Sequence, residues 1–323
     1  MSISVALCTH QGSRFVVEQA ESIVQQTVPP DEVILSDDAS TDGTVELVES
    51  VFSGQKKVRL RVLRNERALG VVANFQQAVL AASGDIIFLS DQDDRWRPDK
   101  VERMVAEFDR KPELLLLHTD ALLVDEQGSS LGVTLFDSLE ATEGEIQGIT
   151  SGSAFEVLLR RNLALGASIA FRKTLLDAAV PFGDAWVHDE WLAIIAAAQG
   201  PEAVDVLREQ LLDYRQHASN QIGARKLSVR AKLARLREPR HERNERLKRA
   251  SEQLVARLGQ SKPSEQVMAG ATRKLLHENA RSAYPAARWR RVGPVLREVR
   301  TGRYSGAGRG WTAVVADLLQ PEE

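Results

Sequence analysis

The stretch that decides the fold is DIIFLSDQDD, residues Asp85–Asp94, in which an apolar run ends abruptly in acid. Ile86–Leu89 is a continuous run of β-forming residues, which is typical of a buried strand in a parallel sheet. The three carboxylates that follow stand at the strand end where open α/β sheets hold their ligands. Asp91 and Asp93, one residue apart, favour a hard divalent cation, Mg²⁺ or Mn²⁺, because clustered carboxylates otherwise repel one another. An ordinary acidic turn is the alternative.

Two further apolar runs follow the same plan. Ile3–Cys8 leads into polar residues that begin at Thr9, and Val33–Ser36 leads into DDASTDGT, which begins at Asp37. Residues 15–26 between the two runs contain neither Gly nor Pro, so we expect a helix there and a βαβ unit overall. The sequence therefore predicts an α/β fold with a mostly parallel central sheet flanked by helices. The polar residues after all three runs should meet at one edge of that sheet.

More motifs follow in order along the chain. They are NERALG, which contains Asn65, then HDEW, which contains Asp189, and YRQHASN, which contains Arg215 and His217. Together with SDDASTDGT and LSDQDD they resemble the family 2 glycosyltransferases of the GT-A type over about residues 3–222. The combination of HDEW with YRQHASN is most similar to the bacterial rhamnosyltransferase branch.

The resemblance implies a set of residues for the nucleotide of a sugar donor. Thr9 and Asp38 match positions that contact the base and the ribose in the family, and a carboxylate at Asp38 can accept from a pyrimidine N3–H. Asn65 either shapes the donor pocket or belongs to an ordinary loop. Arg215 could pair with a phosphate through its planar guanidinium. The implied donor nucleotide is therefore a uracil or thymine nucleotide.

The resemblance also implies the metal ligands and the base. Asp93 is the expected direct ligand of the metal, Asp91 lies nearer the ribose or the metal, and His217 completes the metal shell or touches the diphosphate. Asp189 aligns with the carboxylate that deprotonates the acceptor hydroxyl in an inverting displacement. Its neighbour Glu190 is the adjacent alternative, and a helix N-cap is the structural alternative for Asp189.

The expected function is inverting, metal-dependent transfer of a sugar in cell-surface polysaccharide synthesis. The favoured donor is dTDP-L-rhamnose, with UDP-hexoses open, and the acceptor is a saccharide or a lipid-linked saccharide. The competing interpretations are a nucleotide-sugar-binding scaffold protein without turnover and a nucleotidyltransferase. A nicotinamide dehydrogenase is disfavoured because no Gly-x-Gly-x-x-Gly follows the first strand.

Charge divides the chain of 323 residues into two unlike parts, although the net charge is only −3. Residues 225–304 hold 22 Lys and Arg against 7 Asp and Glu, whereas residues 1–224 hold 19 against 35. We therefore expect a catalytic domain over residues 1–224 and a basic, mainly helical region over residues 225–323. The basic region is either a solvated helical surface or a contact for anionic membrane. Nucleic acid is the least favoured partner, since no nucleic-acid-binding motif occurs.

The expected location is the cytoplasm, and the alternative is the inner face of the cell membrane. The single Cys8 excludes an internal disulfide and sits in an apolar run, which favours a buried thiol in a reducing compartment. The N-terminus lacks the pattern of a signal peptide, and no apolar stretch is long enough to span a bilayer.

Overall fold

The computed structural model describes residues 1–217, 239–308 and 310–321. Within these residues the strands form one mixed sheet in the order β3-β2-β1-β4-β8-β6-β9-β5, with β7 paired to β6. The strands are β1 (Ile3–Thr9), β2 (Glu32–Asp37), β3 (Arg59–Arg64), β4 (Ile86–Ser90), β5 (Arg95–Trp96), β6 (Leu116–Val124), β7 (Ser130–Thr134), β8 (Ile169–Arg172) and β9 (Val204–Arg215).

The first half of the sheet is parallel, as the apolar runs predict. Strands β1, β2 and β4 are buried along their whole length, and β1 lies between the other two. Thr9 is in register with Asp37, and Leu7 is in register with Ser90. The polar residues that follow these strands therefore share one edge of the sheet, as expected.

The second half of the sheet is mixed. β8 runs antiparallel to both β4 and β6, while β9 runs parallel to β6. The two-residue strand β5 pairs with the end of β9, so that Arg95 lies opposite Asp213. This pairing brings residues that are more than a hundred positions apart to the same end of the sheet. It carries the segment up to His217 next to the acidic loop after β4.

Helices pack on both faces of the sheet, in agreement with the predicted α/β architecture. One core lies between the sheet and the helices α1, α2 and α4, and a second core lies beneath α3, α7 and α9. The helices before residue 217 are α1 (Val16–Val24), α2 (Thr44–Phe52), α3 (Val71–Ala81), α4 (Lys100–Arg110), α5 (Leu135–Ser138), α6 (Glu143–Gly148), α7 (Ala154–Arg160), α8 (Leu176–Ala179) and α9 (His188–Ala197).

The C-terminal region is helical, as expected. Its first two helices join the second core through Leu254, Leu258 and Ala271, so they pack directly on the α/β body. The predicted boundary between residues 224 and 225 lies outside the described residues. One helical turn, Arg303–Gly306, lies in the Gly-rich stretch that begins at Gly302. The helices are α10 (His241–Leu258), α11 (Glu265–Ser282), α12 (Arg288–Arg300), α13 (Arg303–Gly306) and α14 (Trp311–Leu319).

Candidate active site

A cavity of about 840 Å³ opens at the carboxyl ends of β1, β2 and β4. Its wall brings together most of the residues that the sequence singles out, although they are spread over more than two hundred positions. The predicted site residues in the wall are Thr9, Asp38, Asp91, Asp93, Asp189 and His217. Asn65 and Arg215 lie behind the wall rather than in it.

The end of β2 is built around two carboxylates with different partners. Asp37 accepts hydrogen bonds from the hydroxyls of Thr9 at 2.7 Å and Ser40 at 2.6 Å, so it ties β1 to the turn. Asp38 accepts from the main-chain N–H groups of Leu69 at 2.6 Å and Gly70 at 2.9 Å. Asp38 therefore fixes the loop before α3 while lining the cavity.

The backbone conformation of Gly70 allows the loop to donate these two hydrogen bonds to Asp38. Its φ of +84° lies in the left-handed region, which side-chain-bearing residues rarely adopt. Asn65 supports the same loop, since its amide donates to Asp38 at 3.2 Å and its carbonyl accepts from Gln77 at 3.0 Å. Asn65 therefore lies behind the cavity, where it supports the loop that Asp38 holds.

The acidic loop after β4 concentrates negative charge at the cavity. Burial, followed by the charges of Asp93 and Asp189, raises the pKa of Asp91 to about 7. Burial, followed by the charges of Asp93 and Asp91, raises the pKa of Asp94 well above its ordinary value. One oxygen of Asp94 accepts from the main-chain N–H of Arg215 at 3.1 Å, and the other is buried with no hydrogen-bond partner in the described part of the chain.

His217 joins this loop from the end of β9. Its Nε2 lies 2.7 Å from an Asp93 carboxylate oxygen, and its ring packs against Phe15 at a centroid distance of 4.9 Å. The structure thus places His217 beside Asp93, the pair that the sequence predicts around a metal. Across residues 1–217, 239–308 and 310–321, no three His, Cys, Asp or Glu side chains are arranged to hold a metal ion by themselves.

Lys100 is a charged residue of the site that sequence reasoning missed. It is fully buried beneath the acidic loop, where its ammonium donates to the carbonyl of Ala167 at 2.6 Å and lies 4.1 Å from the centre of the Trp96 ring. Burial lowers its pKa to about 7, against the opposing pull of Asp94 and Asp91. A lysine at the start of a helix gives no sequence signal of such burial.

Arg215 departs from the prediction that it pairs with a phosphate. Its side chain is only 3% exposed, and each guanidinium nitrogen has a partner within the protein. Nε donates to the Asp93 carbonyl at 2.8 Å, Nη1 to the Glu126 carbonyl at 2.9 Å, and Nη2 to the Glu18 carboxylate at 2.5 Å. Arg215 therefore positions the acidic loop from behind instead of reaching the cavity.

Asp189 lies in the first turn of α9, one residue after the helix begins at His188. The alternative that it is the N-cap is wrong, because Val187 holds that position. Its carboxylate accepts from the main-chain N–H of Gly166 at 2.9 Å and of Glu190 at 2.5 Å. Burial is the main cause that raises its pKa to about 7. The carboxylate of Asp189 therefore changes its protonation state near neutral pH.

The aromatic residues around Asp189 are core rather than an exposed platform. Trp191 is 1% exposed and donates through its indole to the Ala179 carbonyl at 2.7 Å. His188 stacks on Phe75 with a centroid distance of 3.8 Å, and burial lowers its pKa to about 3. A neutral, stacked His188 therefore fixes the start of the helix that carries Asp189. Glu190 also lines the cavity.

Comparisons with known proteins agree with this architecture. Residues 4–121 match the family model described as Glycosyl transferase family 2. EpsE of Bacillus subtilis (strain 168), named as a glycosyltransferase, is 30% identical over 126 residues, which are 39% of this chain and 45% of EpsE. This chain therefore spans less than half the length of that relative.

Two solved structures share the fold. One is residues 1–349 of S. aureus TarS in complex with UDP-GlcNAc, with a TM-score of 0.59 at 17% identity over 86% of this chain and 72% of that chain. The other is the mannosyltransferase PcManGT from Pyrobaculum calidifontis in complex with GDP-Man and Mn²⁺, with a TM-score of 0.52 at 16% identity over 98% and 84%.

The fold and the cavity thus define an α/β protein of the GT-A class. Within it, the segment from residue 4 to residue 121 matches the family 2 glycosyltransferase model, and this match supports the transferase class. None of the helices that the structure describes is both long and apolar enough to cross a bilayer.

Proposed function

We propose that this chain transfers a sugar from a nucleotide diphosphate sugar to an acceptor hydroxyl with inversion at the anomeric carbon. The observation that carries the proposal is Asp189, a buried carboxylate with a pKa of about 7 in the same cavity wall as the acidic loop. Asp189 takes the proton from the acceptor hydroxyl as its oxygen attacks the anomeric carbon. The bond from that carbon to the diphosphate breaks on the opposite face, and the nucleoside diphosphate leaves.

The acidic loop suits a divalent cation, Mg²⁺ or Mn²⁺, that accompanies the donor. Burial, and after it the charges of the neighbouring carboxylates, raise the pKa of Asp91, as expected in a buried anionic cluster that lacks a compensating cation. Asp91 and Asp93 would hold the cation, with His217 orienting Asp93 by the hydrogen bond between them. Such a cation neutralises charge on the diphosphate as it leaves.

The donor phosphates would supply the rest of the coordination shell. Mg²⁺ usually takes one or two carboxylates together with substrate phosphates and water. This requirement fits a site where the described residues offer few protein ligands. PcManGT, which shares the fold, is in complex with both GDP-Man and Mn²⁺.

The narrower proposal for the donor is dTDP-L-rhamnose, with UDP-hexoses as the second choice. It rests on the HDEW and YRQHASN motifs and on Asp38. The Asp38 carboxylate lines the cavity and retains a lone pair beyond those used for Leu69, Gly70 and Asn65. The acceptor is proposed to be a saccharide or a lipid-linked saccharide in cell-surface polysaccharide synthesis. The proposed site of action is the cytoplasm or the inner face of the membrane.

Two other functions make different demands on the same cavity. A scaffold that binds nucleotide sugars without turnover would not need a buried base with a pKa near neutrality at the acceptor side. A nucleotidyltransferase usually has a Gly-rich basic loop after the first strand, and His10–Arg14 contains only one glycine and one arginine. The arrangement around Asp189 therefore favours transfer of the sugar.

A thermal-shift screen followed by a transfer assay tests the proposal. Nucleotide diphosphate sugars are added with and without Mn²⁺, because a ligand that binds the folded state raises its melting temperature. A metal-dependent shift with dTDP-L-rhamnose or a UDP-sugar is expected, and Asp93→Asn should remove the metal dependence. A shift with no release of nucleoside diphosphate for any saccharide acceptor would favour the scaffold, and no shift at all would contradict the proposed donor site.

A further inference from the structure

The helices α12 and α14 carry apolar side chains on their outer faces. On α12 the exposed residues are Trp289, Val292 and Leu296, at 74, 47 and 53% exposure. Their spacing of three and four residues places them in one row along the helix. Six of the twelve exposed large apolar side chains in the described part of the chain lie on these two short helices. Single exposed apolar residues scattered over a surface are normal, whereas six on two helices form a concentrated apolar patch.

The second row, on α14, has the same character. Trp311, Val315 and Leu319 recur at intervals of four residues and are 74, 42 and 49% exposed. The two helices pack on one another, since the guanidinium of Arg291 on α12 donates to the carbonyl of Gln320 at the end of α14 at 2.6 Å. Two exposed apolar rows, each begun by a tryptophan, therefore belong to neighbouring helices.

The inner faces of the two helices bury both apolar residues, among them Val295 and Val314, and charged residues that fix the orientation of each helix. The inner faces hold Arg291, Glu298 and Asp317, all 3% exposed or less. Glu298 accepts hydrogen bonds from Arg303 and from His277, and Asp317 accepts from Arg281. A helix at a protein–water boundary normally turns its apolar face inward and its charges outward. Here rotation of either helix would break buried ion pairs, so the apolar rows are held on the outside.

The charged residues beside the two apolar rows indicate which kind of partner the rows would contact. On α12 four exposed arginines accompany the apolar row, and the region from residue 225 to residue 304 holds 22 Lys and Arg against 7 Asp and Glu. Tryptophan and arginine are characteristic of helices that lie at the boundary of a bilayer, with apolar side chains below the headgroups and cations beside anionic lipid. The four arginines are Arg288, Arg290, Arg297 and Arg300.

We propose that the outer faces of α12 and α14 form a docking surface for an anionic lipid bilayer. The protein would lie on the membrane without crossing it, with Trp289 and Trp311 at the depth of the headgroups. A second copy of the chain is a poorer occupant, because two such surfaces would bring their arginines together. The proposal is independent of the sugar-transfer reaction and of the donor.

Binding of the full chain to vesicles tests the surface. The protein is sedimented with vesicles of phosphatidylcholine alone and of phosphatidylcholine mixed with phosphatidylglycerol. We expect binding to the anionic vesicles at low salt and less binding to the neutral ones. The change Trp289→Ser with Trp311→Ser should lower the partition coefficient by at least about tenfold, because the apolar anchor is lost.

Two pairs of leucines with similar exposure distinguish binding through this surface from nonspecific hydrophobic adsorption. Leu296→Ser with Leu319→Ser removes two leucines that are 53 and 49% exposed, whereas Leu80→Ser with Leu131→Ser removes two that are 52 and 46% exposed elsewhere. The first pair should weaken binding and the second should not. Arg288→Gln with Arg297→Gln should reduce low-salt binding about thirtyfold, since each basic residue near an anionic surface contributes about fivefold.

Three outcomes would overturn the proposal. The first is a folded protein that fails to sediment with anionic vesicles at low salt. The second is an equal loss of binding in the control pair of leucines. The third is a concentration-dependent dimer that the tryptophan changes abolish, in a protein that does not bind vesicles, which would assign the surface to a second copy of the chain.

Discussion

The carboxylate of Asp189 accepts a hydrogen bond at 2.9 Å from the main-chain N–H of Gly166, across 23 residues of sequence. Gly166 can approach this closely because it has no side chain. A Cβ at this position would lie only 2.9 Å from Nε2 of His188. The contact holds the carboxylate in the cavity wall, while burial keeps its proton affinity high. A fixed carboxylate that titrates near neutrality is what a general base requires.

The first prediction concerns the pH dependence of transfer. Because the pKa of Asp189 is raised to about 7, its basic form should be lost as the pH falls through that value. We expect kcat/KM to rise with pH through about 7 and then to level. Asp91 has a raised pKa of about 7 as well, so both carboxylates should titrate within the same pH interval. A flat profile between about pH 5 and about pH 8 would contradict the assignment of the base.

The second prediction concerns stability. The pKa of Asp189 is higher in the folded protein than its ordinary value of 3.8, so the folded state keeps a proton that the unfolded chain releases. Ionisation of Asp189 should therefore reduce the free energy of unfolding as the pH rises from about 4 to about 7. Asp189→Asn should gain stability relative to the wild type across that interval, as measured by denaturant unfolding. A difference that does not change with pH would refute the raised pKa.

The third prediction separates the two roles considered for Arg215. If it positions the acidic loop, Arg215→Met should cost about 2 kcal/mol of stability, less than for a fully buried pair because Glu18 is part-exposed. Arg208→Met breaks an exposed pair with Glu143 and should cost well under about 1 kcal/mol. Unfolding by urea measures both changes. Unchanged stability with a raised KM for the donor would instead support direct contact with phosphate.

The fourth prediction concerns the loop held by Asp38. Gly70→Ala forces a side chain into a φ of +84°, and Gly54→Ala does the same in a surface loop after α2. Each change should cost about 1 kcal/mol of stability. Only Gly70→Ala should also weaken donor binding, because its N–H orients the Asp38 carboxylate at the cavity. Equal donor affinities for the two variants in calorimetric titration would remove this role from the loop.

The parallel half of the fold could be predicted from the sequence because each of its strands has a local signal, an apolar run followed by polar residues. The apolar runs Ile3–Cys8, Val33–Ser36 and Ile86–Leu89 each end in polar residues, and the structure places each run in a strand, namely β1, β2 and β4. Their common edge then placed Asp38 and Asp91 in one cavity without knowledge of any distant contact.

The remainder depended on contacts between distant segments. The pairing of β5 with β9 brings Arg215 behind the loop at Asp93, across 122 positions, and no local pattern specifies that approach. The same holds for Lys100, which reads as a surface residue at a helix start but is buried under the acids. A sequence motif indicates which residues belong to the site, whereas tertiary packing determines which residues contact them.

The central claim is that Asp189 deprotonates the acceptor, and single-turnover transfer by Asp189→Asn tests it most directly. The variant is compared with the wild type at saturating donor, using the nucleotide sugar found in the thermal-shift screen. The claim predicts that the rate of transfer falls at least about 100-fold. It also predicts donor affinity within about twofold of the wild type. Wild-type turnover by a folded Asp189→Asn would contradict the claim.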